Sequence, residues 1–384
     1  MIFLDNNSTT PIDKIVKTKM MDALSNNYGN PHSNFHKYGV EAKQIIEKSR
    51  AITSQFFNVE DENIIFTSGA TESNNLLIQG AAIKAKHDNN KRNKIFCSSI
   101  EHKCVLESVN FCSNIGFETH LIPVTSDGLI DIDWLSENID NKTLLISVMA
   151  INNETGLRTN IEEIGALCKK YDVFFHSDLA QALHGEKFDI NELNIDAVSI
   201  SGHKIYGPKG IGCLIFNDNP LDFIKPIMYG GLQEQSVRSG TAPVFLIVGI
   251  SSALEVLNND FNKYKEHSIN LKNKFLNEIK LLTNDIVPNF NQTNSHPGTL
   301  NMCLKSVDAD MICMRLGDKV AVSSTAACNG MNFEYSYVLK NMGLSEKTAK
   351  SSIRLCFGRQ NNETEALDAA RHIVKEYNFI KDNV

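Results

Sequence analysis

The chain has 384 residues, 42% of them hydrophobic and 22% charged, with a formal net charge of -7. That composition excludes disordered and fibrous classes, leaves room for one large domain plus a smaller one, and offers no basic block that could track nucleic acid. The start of the chain lacks the basic residues and apolar stretch of a secretory signal, residues 244–257 are too short and too broken by serines to span a bilayer, and the nine cysteines form no C-x-x-C pair, so a cytoplasmic, membrane-free protein with reduced thiols is expected.

In chain order, residues 4–11 read as a short strand and a polar turn, 12–24 as a helix, and 39–57 as an amphipathic helix behind the turn-dense stretch 28–33. Residues 64–67 read as a strand, 68–73 as a small-residue turn and 74–86 as a helix. Such a turn can hold an anion on free backbone N–H groups, or Thr71 or Ser73 can simply cap the helix. The pattern then repeats, with strands 94–99, 119–124, 144–149 and 173–178 alternating with helices from 103, over 133–138 and over 161–171. This predicts an α/β fold with a mostly parallel sheet, helices on both faces, and ligands beyond the carboxyl ends of the strands. Residues 244–282 read as a charged helical connector, 284–297 as turns, and 299–304, 321–324 and 352–357 as strands among helices. The expected division is a large domain over 12–257 and a smaller α+β domain built from 1–11 and 258–384.

Lys204 ends the apolar run 197–200 and is hemmed in by Gly202, Gly207 and Pro208, an odd setting for a solvated charge, although a lysine in a glycine-rich turn is often only a loop residue. Upstream, the run from Val173 through Phe175 ends on Asp178. A strand-end lysine and a strand-end carboxylate are the pair that pyridoxal-phosphate chemistry needs: the amine holds the cofactor and the carboxylate keeps the pyridine nitrogen protonated. His102 and Asn153 fall just past strand ends as well, so all four are expected to face one pocket.

Cys97, Cys213, Cys303 and Cys313 sit in apolar runs and read as small core residues. Cys328, in the small and polar run SSTAACNG (323–330), reads either as a loop nucleophile or as an incidental surface thiol, with Cys104 the runner-up. His102 is either a satisfied residue at a helix entrance or a group that stacks and moves protons. Arg354 lies inside a strand-like run, where its charge needs a salt bridge or a substrate carboxylate. No Walker loop, G-x-G-x-x-G or H-E-x-x-H occurs, and no metal site is expected.

Taken with the motifs FTSGATESNN (66–75), NNETG (152–156), SGHKIYGPKGIG (201–212) and RSGT (238–241), the chain resembles the cysteine desulfurases of the class V aminotransferase group, fold type I pyridoxal-phosphate enzymes, over nearly its whole length. The resemblance implies that Lys204 carries pyridoxal 5'-phosphate as a Schiff base, Asp178 pairs with the ring nitrogen, Gln181 and Asn153 lie around the ring oxygen, and His102 stacks on the ring. It implies that Ala70, Thr71, Ser201 and His203 bind the phosphate, with Thr241 reaching in from the second subunit of a homodimer. Asn7, Asn153 and Arg354 match the contacts to the substrate carboxylate, and Cys328 matches the sulfur-accepting cysteine.

The implied reaction takes sulfur from L-cysteine, leaves L-alanine and a persulfide on Cys328, and passes the sulfur to an acceptor protein for iron-sulfur assembly or for tRNA or DNA thiolation (DNA phosphorothioation). A selenocysteine lyase, a class V transaminase and an idle partner-binding homologue are the alternatives, and a transaminase would have no use for Cys328. Two departures stand out: Thr325 replaces a glycine near that cysteine, and Leu232 follows Gly230-Gly231 where a third glycine is usual. The chain stops at Val384, short of the docking tail of housekeeping members, so a dedicated acceptor is expected.

Overall fold

The computed structural model describes residues 1–324 and 335–383, so Cys328 and most of the run around it lie outside the described residues. The chain opens with a two-residue strand β1 (Ile2–Phe3), then helices α1 (Lys14–Asn26) and α2 (Lys37–Phe57). The expected strand over 4–11 is cut short because that backbone is committed elsewhere: Leu4 exchanges hydrogen bonds with Ala321 and Cys356, and the Thr10 N–H donates to the His203 carbonyl at 2.9 Å.

There follow β2 (Ile64–Thr67), α3 (Ala70–His87), β3 (Lys94–Ser98), α4 (Lys103–Asn114), β4 (Glu118–Ile122), α5 (Ile132–Asn138), β5 (Thr143–Ser147), α6 (Ile161–Tyr171), β6 (Phe174–Asp178), β7 (Ala197–Ser201) and β8 (Gly212–Phe216). Strands β2 to β8 make one sheet in the order β2-β8-β7-β6-β5-β3-β4. It is parallel except at β8, which runs antiparallel to both neighbours. Successive strand residues go to opposite cores: Phe96 to one and Ile95 and Cys97 to the other, Ile146 against Leu145, Ile215 against Leu214. Side chains on a strand alternate faces, so strands apolar at every position need a cover on both sides. Helices α3 and α4 supply Leu77 and Val105 to one cover, while α1, α2 and α6 supply Val16, Ile46 and Ile164 to the other.

Helix α7 (Val244–Leu282) spans 39 residues and bends at Asp260. Its first half puts Ile247, Ile250, Leu254 and Leu257 into the sheet's core, so the apolar stretch weighed above is used inside the protein. Leu271, Phe275 and Ile279 belong to a second core with Leu4. That core is built on β9 (Ile286–Pro288), β10 (Thr299–Leu304), α8 (Ala309–Leu316), β11 (Val320–Ala321), β12 (Ser323–Ser324), the short helices α9 (Tyr337–Asn341) and α10 (Glu346–Lys350), β13 (Ser352–Cys356) and α11 (Glu363–Asn383). The change of core falls between Phe261 and Leu271, inside one helix rather than in a linker. Cys97 and Cys213 are buried as expected, whereas Cys303, on an otherwise buried strand, and Cys313, on α8, are only half-buried.

Three consecutive residues between β8 and α7 adopt left-handed backbone: Glu234 (φ 42°), Gln235 (φ 58°) and Ser236 (φ 66°). Glu234 repays the strain, because its carboxylate grips the Arg50 guanidinium at 2.9 and 3.1 Å and accepts from the Phe66 N–H at 2.9 Å. Ser236 has no such task. Left-handed backbone costs a non-glycine residue about 1–2 kcal/mol, and glycine gives back about 0.4–1 kcal/mol through a freer unfolded chain. Ser236→Gly is therefore expected to stabilise the protein by about 0.5–1 kcal/mol, the difference of those two terms, read as a higher urea midpoint at unchanged slope.

Candidate active site

A cavity of ≈ 460 Å³ opens where the carboxyl ends of β2, β6 and β7 meet the starts of α3 and α4. Its lining includes Ala70, Thr71, His102, Asn153, Asp178, Gln181, Ser201, His203 and Lys204, nine of the sequence-predicted positions in one place. Three others stand apart from the lining. Thr241 is exposed and outside this chain's cavity. Asn7 and Arg354 form the wall behind it: Asn7 donates to the Asn153 carbonyl at 3.2 Å, and Arg354 donates to the same oxygen at 3.0 Å.

At one end of the cavity, helix α3 starts at Ala70, four residues earlier than its periodicity suggests. Its cap is Gly69, at φ 155°, with no side-chain hydrogen bond. The expectation that Thr71 or Ser73 caps the helix is overturned: both lie inside the first turn, and the Ser73 hydroxyl is spent on Thr67 Oγ1 at 2.7 Å. The first N–H groups of a helix have no intrahelical acceptor, and they carry the positive end of its dipole. Here they open onto Ser201, His203 and Lys209 across the cavity, a set of donors suited to a dianionic group. Burial, with Lys204 and Lys209 nearby, pushes the His203 imidazole down to about 4, so it meets that group as a neutral ring.

At the other end lies Asp178, the last residue of β6. Its Oδ1 accepts from the Ala180 N–H at 2.8 Å and its Oδ2 from Asn74 Nδ2 at 2.7 Å. These two fixed donors hold the carboxylate in one orientation toward the cavity. Asn74 was not foreseen, yet it carries a signal: it sits on the stripe of Leu77, Ile78 and Ala81 that α3 buries, where a polar side chain needs a partner. Its Nδ2 also lies 3.2 Å from Cys104 Sγ.

His102 does two things at once. It caps α4, its Nδ1 accepting from the Cys104 N–H at 3.2 Å, and its ring faces the cavity. With Nδ1 used as acceptor, the hydrogen-bond network assigns the ring proton to Nε2. Burial holds the imidazole below its ordinary pKa. Cys104 lines the cavity too, but burial and the nearby Asp178 charge push its thiol up to about 12, which removes it as a thiolate nucleophile at neutral pH.

Lys204 follows β7 in a single 3-10 turn. Its Nζ donates to the Asn7 carbonyl, and its own carbonyl accepts from His184 Nε2. Gln181 Nε2 also donates to the Asn7 carbonyl, at 2.8 Å. Gly212 is indispensable beside this turn, since a Cβ there would stand 2.5 Å from the Ile200 carbonyl and 2.6 Å from Gly69 Cα. The salt-bridge reading of Arg354 holds: Nη2 pairs with Asp5 Oδ1 at 2.8 Å, and its buried Nε has no hydrogen-bond partner among the described residues.

The parallel sheet and a strand-end cavity of this composition define the fold of pyridoxal-phosphate-dependent transferases. Residues 2–368 match the family model described as aminotransferase class-V, and the chain belongs to that family. A curated relative, cysteine desulfurase IscS of Rickettsia bellii, is 41% identical over 381 residues, covering 99% of this chain and 92% of its own. Among solved structures, a NifS-like protein superposes with a TM-score of 0.90 at 30% identity, covering 98% of this chain and 99% of that one. SspA in complex with cysteine superposes at 0.79 with 32% identity, covering 93% and 99%.

Proposed function

We infer that the chain is a pyridoxal-phosphate-dependent cysteine desulfurase that takes sulfur from L-cysteine, leaves L-alanine, and passes the sulfur from Cys328 to an acceptor protein. The observation that carries this reading is the convergence of Lys204, Asp178 and the uncapped start of α3 on one cavity. The residues present fit the cofactor: besides that convergence, the buried Asn153 Oδ1 has no hydrogen-bond partner among the described residues, and Asn153 lines the cavity. A buried polar atom left unpaired is costly unless a ligand meets it.

In this reading Ala70, Thr71, Ser201 and His203 hold the phosphate, Asp178 keeps the ring nitrogen protonated, Gln181 and Asn153 flank the ring oxygen, His102 stacks on the ring, and Lys204 is the covalent anchor. Bound there, the cofactor supplies an electron sink for the α-carbon of the substrate. The protein supplies the rest. The Lys204 amine, whose Nζ donates to the Asn7 carbonyl in this structure, would take and move the α-proton. Arg354 Nε and Asn7 receive the substrate carboxylate. Cys328, as thiolate, attacks the substrate sulfur: the S–S bond forms, the Cβ–S bond breaks with its electron pair going to carbon, and that carbon takes up a proton to become the alanine methyl group, leaving the persulfide on Cys328.

Thr241 completes the phosphate site of a second copy in a homodimer. Supporting this, Met228, Tyr229 and Leu232 on the same segment expose large apolar side chains, the kind of surface a partner covers. The acceptor is a protein rather than nucleic acid, in keeping with the net charge of -7. The sulfur then serves iron-sulfur assembly or a thiolation pathway, in the cytoplasm, with no membrane contact.

The reading is tested by adding pyridoxal phosphate to the apoprotein and supplying L-cysteine with a reducing thiol. Uptake of visible absorption and equimolar alanine and sulfide are expected. Alanine without sulfide, or turnover of L-selenocysteine alone, would overturn it. Sedimentation tests the homodimer.

A further inference from the structure

Arg359 follows Gly358 in the turn after β13, and its Nε, Nη1 and Nη2 are all buried without a hydrogen-bond partner among the described residues. A guanidinium stripped of water with none of its donors used is costly to keep. What it has instead is two rings: its central carbon lies 4.4 Å from the Tyr206 centroid and 4.0 Å from that of Tyr264. Both distances are within the ~6 Å reach of cation–π attraction. The carboxylates of Asp13 and Asp260 already act on its charge, so an anion has little reason to bind there.

The two tyrosines belong to different parts of the molecule. Tyr206 lies two residues past Lys204, at φ 62°. Its N–H donates to Thr10 Oγ1 at 2.9 Å, its hydroxyl accepts from the Arg359 N–H at 2.7 Å, and its ring stands edge-on to His184, which holds the Lys204 carbonyl. Tyr264 lies on α7 just past the bend at Asp260, where the helix passes from the first core to the second. The chain at Gly358 has been drawn in close: a Cβ there would stand 2.5 Å from the Tyr206 hydroxyl.

We propose that Arg359 is a positioning residue that bridges Tyr206 and Tyr264, fixing the Lys204 turn against the second core and so aiming the lysine amine at the cavity. This rests on Lys204 being the cofactor anchor. The guanidinium's unused donors then make sense, because its charge is met by the two ring faces over which its central carbon lies.

The test compares Arg359→Met, Tyr264→Leu and Tyr264→Phe with wild type, plus Ile373→Val in the second core as a variant that loses stability without touching the stack. In apoprotein, hydrogen exchange at Tyr206 and Gly207, whose N–H groups bond to Thr10 and to the Gly202 carbonyl, reports the turn directly. Arg359→Met and Tyr264→Leu are expected to speed that exchange and, in the loaded enzyme, to lower kcat by about tenfold with KM for L-cysteine changed less than about twofold, the effect of a misaimed reacting group. Tyr264→Phe and Ile373→Val should leave both readouts at wild-type values. Unchanged exchange and kcat in Arg359→Met, or equal changes in Ile373→Val, would overturn the proposal. Borohydride trapping in wild type separates the two claims: cofactor on another lysine sinks the anchor assignment, whereas cofactor on Lys204 with an indifferent Arg359→Met sinks this inference alone.

Discussion

Lys204→Ala is expected to abolish turnover of L-cysteine, by about 10⁴-fold or more, since a positioned acid–base group alone supplies up to that factor and here the same amine is also the covalent anchor. The fold should survive. The turn is held through its backbone, by the His184 bond to the Lys204 carbonyl, the Thr10 bonds to the His203 carbonyl and the Gly207 N–H bond to the Gly202 carbonyl. Cofactor binding should persist in weakened form, because Asp178 and the start of α3 are untouched, but borohydride should no longer fix it to the protein. Peptide mapping of borohydride-reduced wild type should place the cofactor on Lys204. Residual turnover within about tenfold of wild type would show that another base carries the α-proton.

Most of the fold was legible because strand and helix periods differ and the strand ends are marked by chemistry-bearing residues. The runs ending near His102, Asp178 and Lys204 could be read as strand exits, and in a parallel sheet all strand exits of that kind share one edge. Helix starts were less legible. Ala70, Thr71 and Ser73 look like turn residues, and only the tertiary need for an uncapped helix start at the cavity explains why α3 begins at Ala70. Asn74 was missed for a related reason: its place on a buried stripe is visible in the sequence, but its partner, Asp178, is 104 residues away.

Antiparallel β8 shows a different limit. Residues 211–216 are apolar enough for a core run, yet nothing local tells that they return between β2 and β7. Arg354 is legible in the sequence only as a dilemma, salt bridge or substrate contact, and the structure shows the salt bridge, to Asp5, with Nε left unpaired among the described residues.

Cys328→Ser is expected to leave cofactor uptake unchanged while lowering sulfide and alanine release from L-cysteine by about 10³-fold or more, since a hydroxyl cannot accept sulfur and covalent catalysis is lost outright. The described thiols give it no ready substitute. Cys97 and Cys213 are sealed in the core, and Cys356 is buried with its thiol pushed up to about 11. Cys104 alone among the described cysteines lines the cavity, but with its thiol held up to about 12 it stays protonated, and so poorly nucleophilic, across the neutral range. The sign is clear: burial and the Asp178 carboxylate both oppose the thiolate, so raising the pH through 7 to 9 should not recruit it. Iodoacetamide at limiting concentration in that range should therefore label Cys328 in the wild type and spare Cys104. Persulfide mapped to Cys104 in Cys328→Ser, with alanine still released at the wild-type rate, would move the sulfur-accepting role from the family's cysteine to this one.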